Sequence, residues 1–232
     1  MNQMTFGLVV FPGSNCDHDM QYMLEHLLNQ KVEVLWHKDT HLPKKCDAIV
    51  LPGGFSYGDY LRSGALARFS PIMSEVMNFA DKGGYVIGIC NGFQILCESG
   101  LLPGALLHND TRKFICKNIH LKVQTEKSAF TAHCTKGQVL KVPIAHGEGR
   151  YYADAETLKQ LNRDNRVLFR YCGPEGEETA AFNPNGSVEN IAGICNAKRN
   201  VFGMMPHPER CADADLGNTD GRILFESLIA GK

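Results

Sequence analysis

Between Tyr85 and Leu96 the chain changes hydrophobic period around a single cysteine. Tyr85-Val86-Ile87-Gly88-Ile89 has the length and β-branching of a buried parallel strand, whereas Phe93, Leu96 and Cys97 recur at helical spacing. Cys90 therefore falls at a strand-to-helix turn, with Gly88 and Gly92 at i−2 and i+2. Glycines at those positions let the backbone bend sharply and push one side chain out of the fold. The pattern G-x-C-x-G-x-Q is a nucleophile elbow with sulfur in place of oxygen. At the first turn of a helix, free N–H groups and the positive end of the dipole favour a thiolate. A buried structural cysteine is the competing reading and suits the other eight cysteines. At position 90 the paired glycines and the change of period favour a nucleophile.

An elbow of this kind needs a parallel sheet to carry it, and the flanking sequence supplies one. Strands are predicted over 5–11, 31–36 and 47–51, with helices over 17–29 and 71–82. The helix over 17–29 presents Met20, Met23, Leu24, Leu27 and Leu28 on one face, with Ser14, Asn15 or Asp17 as its N-cap. Strands separated by helix-length connections argue for right-handed crossovers. Beyond the elbow, 101–109 and 113–124 read as antiparallel strands at one side of the parallel sheet. Further strands are predicted over 138–144, 166–171, 191–196 and 200–205, a helix over 154–162, and a Gly/Pro/Glu/Asn loop over 172–187. The fold class is α/β, a three-layer open, mostly parallel sheet with helices on both faces, in a single domain spanning 1–232.

The remaining composition serves to exclude functions. A formal net charge of −1 leaves no electrostatic footprint for nucleic acid, and no segment gathers a Lys/Arg stripe. The first five residues lack a basic and apolar leader, and the apolar runs are too short to span a bilayer, so a cytosolic, membrane-free protein is expected. Nine cysteines, an odd number without a C-x-x-C pair, fit neither a disulfide framework nor a zinc site. Nine histidines are scattered along the chain without H-E-x-x-H, so no metal is expected.

Two other stretches complete the chemistry. Residues 52–64 are glycine-rich and follow the third strand, where open α/β sheets place their ligands. G-x-x-x-x-G-K-[S/T] is absent, so a phosphate cradle is not indicated. Gly53 and Gly54 instead offer backbone N–H groups as one half of an oxyanion hole, with the N–H of Asn91 as the other. A flexible surface loop is the plainer alternative for 52–64 taken alone. Near the C-terminus, Pro206-His207-Pro208-Glu209-Arg210 follows a strand end. Pro208 disfavours the α region for His207, which predicts an extended segment with His207 and Glu209 on one face. Glu209 would then fix the imidazole tautomer and leave the other nitrogen to act on a thiol, giving a Cys90-His207-Glu209 triad. An isolated His-Pro-Glu is more often a rigid surface turn; the elbow reverses that preference.

The combination resembles the class I, triad-type glutamine amidotransferases, whose elbow reads G-x-C-x-G-x-Q and whose partners lie in a late H-P-E. Within them the chain is similar to the family of glutaminase subunits of phosphoribosylformylglycinamidine synthases. That similarity rests on Val10-Phe11-Pro12-Gly13-Ser14-Asn15-Cys16-Asp17, Pro52-Gly53-Gly54-Phe55-Ser56-Tyr57-Gly58-Asp59-Tyr60 and His146-Gly147-Glu148-Gly149-Arg150. Asn183-Pro184-Asn185-Gly186-Ser187 and Met205-Pro206-His207-Pro208-Glu209-Arg210 extend it along essentially the whole chain.

The resemblance implies glutamine hydrolysis to glutamate and ammonia, with Gln94, His146 and Gly147 contacting glutamine. It also implies that the chain itself holds no cofactor. A separate synthetase subunit would use ATP and Mg to convert formylglycinamide ribonucleotide to formylglycinamidine ribonucleotide, with a small third subunit in the complex. That partner is expected over the strand-end rim, near 13–17 and 183–187. Two rivals remain: a DJ-1-type cysteine hydrolase, which lacks the late H-P-E, and a catalytically silent binding subunit, which has no need of cysteine at the elbow.

Overall fold

Apolar alternation and short crossovers build one sheet from strands that are distant in sequence. The computed structural model describes residues 3–231; Met1, Asn2 and Lys232, which belong to the expected 1–232 unit, lie outside the described residues. In chain order the elements are β1 (Thr5–Val10), α1 (Asp17–Tyr22), β2 (Lys31–Trp36), β3 (Ala48–Leu51), α2 (Pro71–Asp81), β4 (Tyr85–Ile89), α3 (Asn91–Glu98) and β5 (Ala105–Leu107). They continue as β6 (Ile115–Val123), β7 (Val139–His146), β8 (Arg150–Tyr152), α4 (Ala155–Arg163), β9 (Val167–Cys172), β10 (Ile191–Cys195), β11 (Val201–Met204) and α5 (Arg222–Ala230).

Nine strands form the main sheet in the order β2-β1-β3-β4-β11-β10-β9-β6-β7. The pairings from β2 through β11 are parallel, and those from β11 through β7 are antiparallel. Both β3 and β4 are buried almost throughout, as strands covered on two faces must be. Alternating antiparallel pairings return β7 to the same sense as β11, so its end at Ala145-His146 reaches the rim where β1, β3, β4 and β11 also end. Chain reversal between β1 and β3 is the topological switch point at which such sheets bind ligands. Among the described residues no helix is long and apolar enough to cross a membrane.

Two predicted elements differ. The first helix ends at Tyr22 and widens into a π turn over Met23–Leu27, closed by Leu28 N–H donating to the Met23 carbonyl. Its N-cap position is Cys16, without a side-chain cap, because the Ser14 hydroxyl accepts from Phe11 N–H instead. The stretch 101–109 adds no strand to the main sheet: β5 pairs with β8 in a separate two-stranded ribbon. Tyr151 of β8 explains the displacement, since its ring stacks on Phe93 of α3 and its hydroxyl donates to the Pro103 carbonyl. The ribbon is thus anchored to the elbow helix.

Candidate active site

Cys90 takes φ 52° and ψ −105°, a backbone state that side chains disfavour. Such strain typically costs about 1–3 kcal/mol and persists only where the surroundings over-determine it. They do so here: Cys90 N–H donates to the Met204 carbonyl at 2.8 Å, and its own carbonyl accepts from Gln94 N–H at 3.1 Å. Both flanking glycines are sterically required. A Cβ on Gly92 would collide with the Leu51 carbonyl oxygen, and one on Gly88 would lie 2.6 Å from the Gly92 carbonyl. The elbow is therefore clamped between β3, β11 and its own helix, with the thiol at the amino end of α3, where the first N–H groups lack intrahelical acceptors.

At the end of β11, His207 is 1% exposed, and its N–H donates to the Pro143 carbonyl. Its Nδ1 lies 2.6 Å from Glu209 Oε1. Glu209 accepts there, so Nδ1 carries the proton and Nε2 is free to face a thiol. No normal hydrogen bond reaches Nε2, and Glu209 Oε2 is also unpartnered. Burial pulls the imidazole pKa down, but the Glu209 carboxylate and the Cys90 thiol outweigh it and hold the value well above 6.5. The contact matches the sequence reading, but its backbone reason differs. Pro208–Cys211 is a 3-10 turn rather than an extended segment, so Glu209 reaches the ring from the first position after the proline. Proline suits the opening position of such a turn because its φ is preset there.

Against the same ring lies a second thiol. Sγ of Cys16, His207 and Glu209 bring metal-ligand-type atoms within 4.8 Å of one another. Arg210 Nη2 donates to that sulfur at 3.0 Å, a fixed positive charge that opposes a cation. Gly53 permits the approach, since a Cβ there would stand 2.8 Å from His207 Cε1 and 2.9 Å from Cys16 Sγ.

Cys90 opens onto a cavity of about 180 Å³ lined by Gly54, Asp59, Gln94, Arg112, His146 and Glu148 among others. His146, 2% exposed, donates from Nδ1 to Asn109 Oδ1, because the Asn109 amide nitrogen already donates to Lys113 and His146 carbonyls. Its Nε2 is left as a bare acceptor. Burial, with His207 nearby, pushes its pKa down to about 4, so the ring is neutral at working pH. Asp59 Oδ1 is buried without a partner, and burial together with Glu148 raises the Asp59 pKa. A larger cleft of about 490 Å³ lies by Gly83 and Asn200, at the amino ends of β4 and β11, away from these groups.

The sequence from residue 4 to residue 221 matches the CobB/CobQ-like glutamine amidotransferase domain. The chain belongs to this family. It is 58% identical to phosphoribosylformylglycinamidine synthase subunit PurQ of Koribacter versatilis, over 97% of each chain. Identity to the Moorella thermoacetica subunit of the same name is also 58%, over 97% of this chain and 95% of that one. The structure of PurLQS from Thermotoga maritima has a chain that superposes with TM-score 0.86 at 42% identity, covering 99% of both.

Within this amidotransferase the predicted residues divide by what their groups are free to do. Cys90, His207 and Glu209 come together. Gln94 lines the pocket, but its amide is engaged on both sides: Nε2 donates to the Glu148 carbonyl at 2.7 Å and Oε1 accepts from Asn91 Nδ2 at 2.9 Å. Asn91 Oδ1 accepts from Ser56 N–H, so this chain of amides ties the 52–64 loop to the elbow. Gly54 fronts the pocket, with a Cβ excluded by the Ser14 backbone, whereas Gly53 packs beneath His207. Gly147 lines the pocket too, its carbonyl accepting from Asn109 N–H. Asn183 and Asn185 donate from their side-chain amides to the Ser187 and Gly149 carbonyls. The sequence reading missed Asp59, Glu148, Arg112 and Cys16 as members of this rim, although Asp59, Glu148 and Cys16 each lie within a motif quoted above.

Proposed function

We propose that this chain is the glutaminase subunit of a phosphoribosylformylglycinamidine synthase. What carries the reading is one arrangement: a strained elbow cysteine facing a buried His207-Glu209 pair and opening onto a pocket that holds charges of both signs. Cys90 attacks the glutamine side-chain carbonyl as a thiolate. The N–H groups of Asn91 and Gly54, with Gly53 shaping the turn, hold the tetrahedral oxyanion. His207 protonates the departing ammonia and then serves as base while water cleaves the thioester; Glu209 keeps the ring in the required tautomer.

Glutamine lies in the 180 Å³ pocket with its amide toward Cys90. Its α-ammonium faces Asp59 and Glu148, its α-carboxylate faces Arg112 and Lys113, and neutral His146 and the Gly147 backbone accept or donate between them. Gln94 braces the wall through its two amide bonds.

Ammonia released into neutral water takes up a proton and loses its nucleophilicity, so the product is useful only if handed directly onward. A separate synthetase subunit that uses ATP and Mg on formylglycinamide ribonucleotide, with a small third subunit, fits the PurLQS neighbour. It would dock where Phe55, Tyr60, Leu61 and Phe114 stand exposed around the pocket mouth. A cytosolic setting suits nine free thiols. The test is covalent: a glutamine-mimicking electrophile should label Cys90 alone in a peptide map, with glutamine protecting. Labelling elsewhere, or unprotected labelling, would sink the assignment.

A further inference from the structure

Hydrolysis of glutamine uses one thiol, yet the rim holds two. Cys16 is 2% exposed, and its Sγ is fixed by Arg210 Nη2 at 3.0 Å and by its own contact with Asn15 Oδ1 at 3.0 Å. Cys16 and Cys90 line the same small cavity, about 80 Å³, together with His207 and Arg210. Both thiols lie close enough to the His207 ring to bias its protonation, and Nε2 of that buried ring has no normal hydrogen-bond partner. A structural cysteine does not need this position. Burial raises the Cys16 pKa above its ordinary value, so the resting thiol keeps its proton and donates it to Asn15 Oδ1, while the adjacent guanidinium repels a metal ion and favours sulfur chemistry over ligation.

We propose that a hydroperoxide converts this pair to a reversible Cys16–Cys90 disulfide, with Cys16 as the resolving thiol; this rests on the nucleophilic Cys90 of the reading above. The Cys90 thiolate attacks the peroxide oxygen, breaking the O–O bond; sulfur is oxidised to sulfenic acid and the leaving hydroxide takes a proton to become water. The Cys16 thiolate, its proton passed to His207, then attacks the sulfenic sulfur. An S–S bond forms, the S–OH bond breaks, and the hydroxide leaves as water with that proton. In sum, two thiols lose two hydrogens and one hydrogen peroxide becomes two waters. The disulfide removes the nucleophile but protects it from irreversible over-oxidation, and a dithiol reductant restores both thiols.

The experiment treats the full chain with hydrogen peroxide and reads intact mass and a non-reducing peptide map. Wild type should lose two hydrogen masses, yield a peptide joining residues 16 and 90, and regain full labelling of Cys90 by the electrophile after dithiothreitol. Cys16→Ser should instead gain oxygen atoms on Cys90 and fail to recover. Cys211→Ser, which changes a buried thiol bonded to the His207 and Pro208 carbonyls, should behave as wild type. Absence of the joined peptide in wild type overturns the proposal, as does recovery of Cys16→Ser equal to wild type. Because the joined peptide is scored by mass, it fails or succeeds separately from any glutamine assay. Should Cys16→Ser not fold, the wild-type map alone decides.

Discussion

At the residue scale, the His207-Glu209 contact carries both chemistry and a stability signature. The imidazole pKa in the fold is raised well above 6.5 by the carboxylate, against the pull of burial. A raised folded-state value means stability that is fully present below the unfolded pKa near 6.5 and lost as pH rises through the folded one. Denaturation of wild type and Glu209→Gln across pH should therefore show the largest stability gap below about pH 6.5, narrowing on the alkaline side. A gap independent of pH would mean that the pair does not share a proton as described. In turnover, Glu209→Gln should be milder than His207→Ala, since orientation is weakened while the proton carrier stays. Equal losses of kcat would assign Glu209 a further role.

Asp59 gives a second residue-level prediction. Asp59→Asn should raise KM for glutamine about tenfold to a hundredfold, consistent with loss of a charge-assisted contact of about 1.5–3 kcal/mol. KM for glutaramate, which lacks the α-ammonium, should stay unchanged. Parallel losses for both substrates would make Asp59 a structural residue only. The meeting of Cys90, His207 and Glu209 was legible in the sequence because the elbow pattern and the His-Pro-Glu stretch each follow a predicted strand. Asp59 and Cys16 were not, because their roles depend on loops from different strands meeting at one rim.

At the element scale, the strand-to-helix turn works only because α3 lies close to β3. Gly92 touches the Leu51 carbonyl so closely that a methyl group has no room. Gly92→Ala should therefore destabilise the fold by about 3 kcal/mol or more, at the upper end of overpacking costs, because the obstruction is backbone rather than a movable side chain. A thermal midpoint within a degree or so of wild type would contradict the packing given for the elbow. Elements with a clear period were legible from the sequence: β2 and β4 have the predicted bounds, and β3, β9 and α2 differ by a residue or so. The misplaced ribbon strand β5 and the π turn after α1 were not legible. Three apolar residues after Pro103-Gly104 do not reveal whether they join a large sheet or a distant hairpin. A π turn also keeps the same inward face, Met20, Met23 and Leu24, that a regular helix would show. The turn at Pro208 was misread for a related reason: proline restricts the residue before it but says nothing of the turn it begins.

At the scale of the whole molecule, the glycine-rich 52–64 loop joins the oxyanion side of the pocket to an exposed apolar edge, Tyr60 and Leu61 being 74% and 85% exposed. Positive φ at Tyr57, Gly58, Asp59 and Leu61 marks a segment held in an unusual backbone state. Docking of the synthetase subunit over that edge would set the Gly54 peptide, and one missing oxyanion donor typically costs about a hundredfold to a thousandfold in rate. The isolated chain should accordingly hydrolyse glutamine slowly and gain about that factor when the loaded partner is added; a lone chain with the kcat of the complex would refute gating while leaving the triad intact. Cys90, as the nucleophile that frees ammonia from glutamine, is the residue on which synthesis from glutamine depends. The most direct test of that role is the assembled synthase carrying Cys90→Ala, assayed with glutamine and, separately, with ammonium salt at alkaline pH. Glutamine-dependent synthesis should vanish and ammonia-dependent synthesis should match wild type; glutamine use near the wild-type rate would contradict the assignment outright.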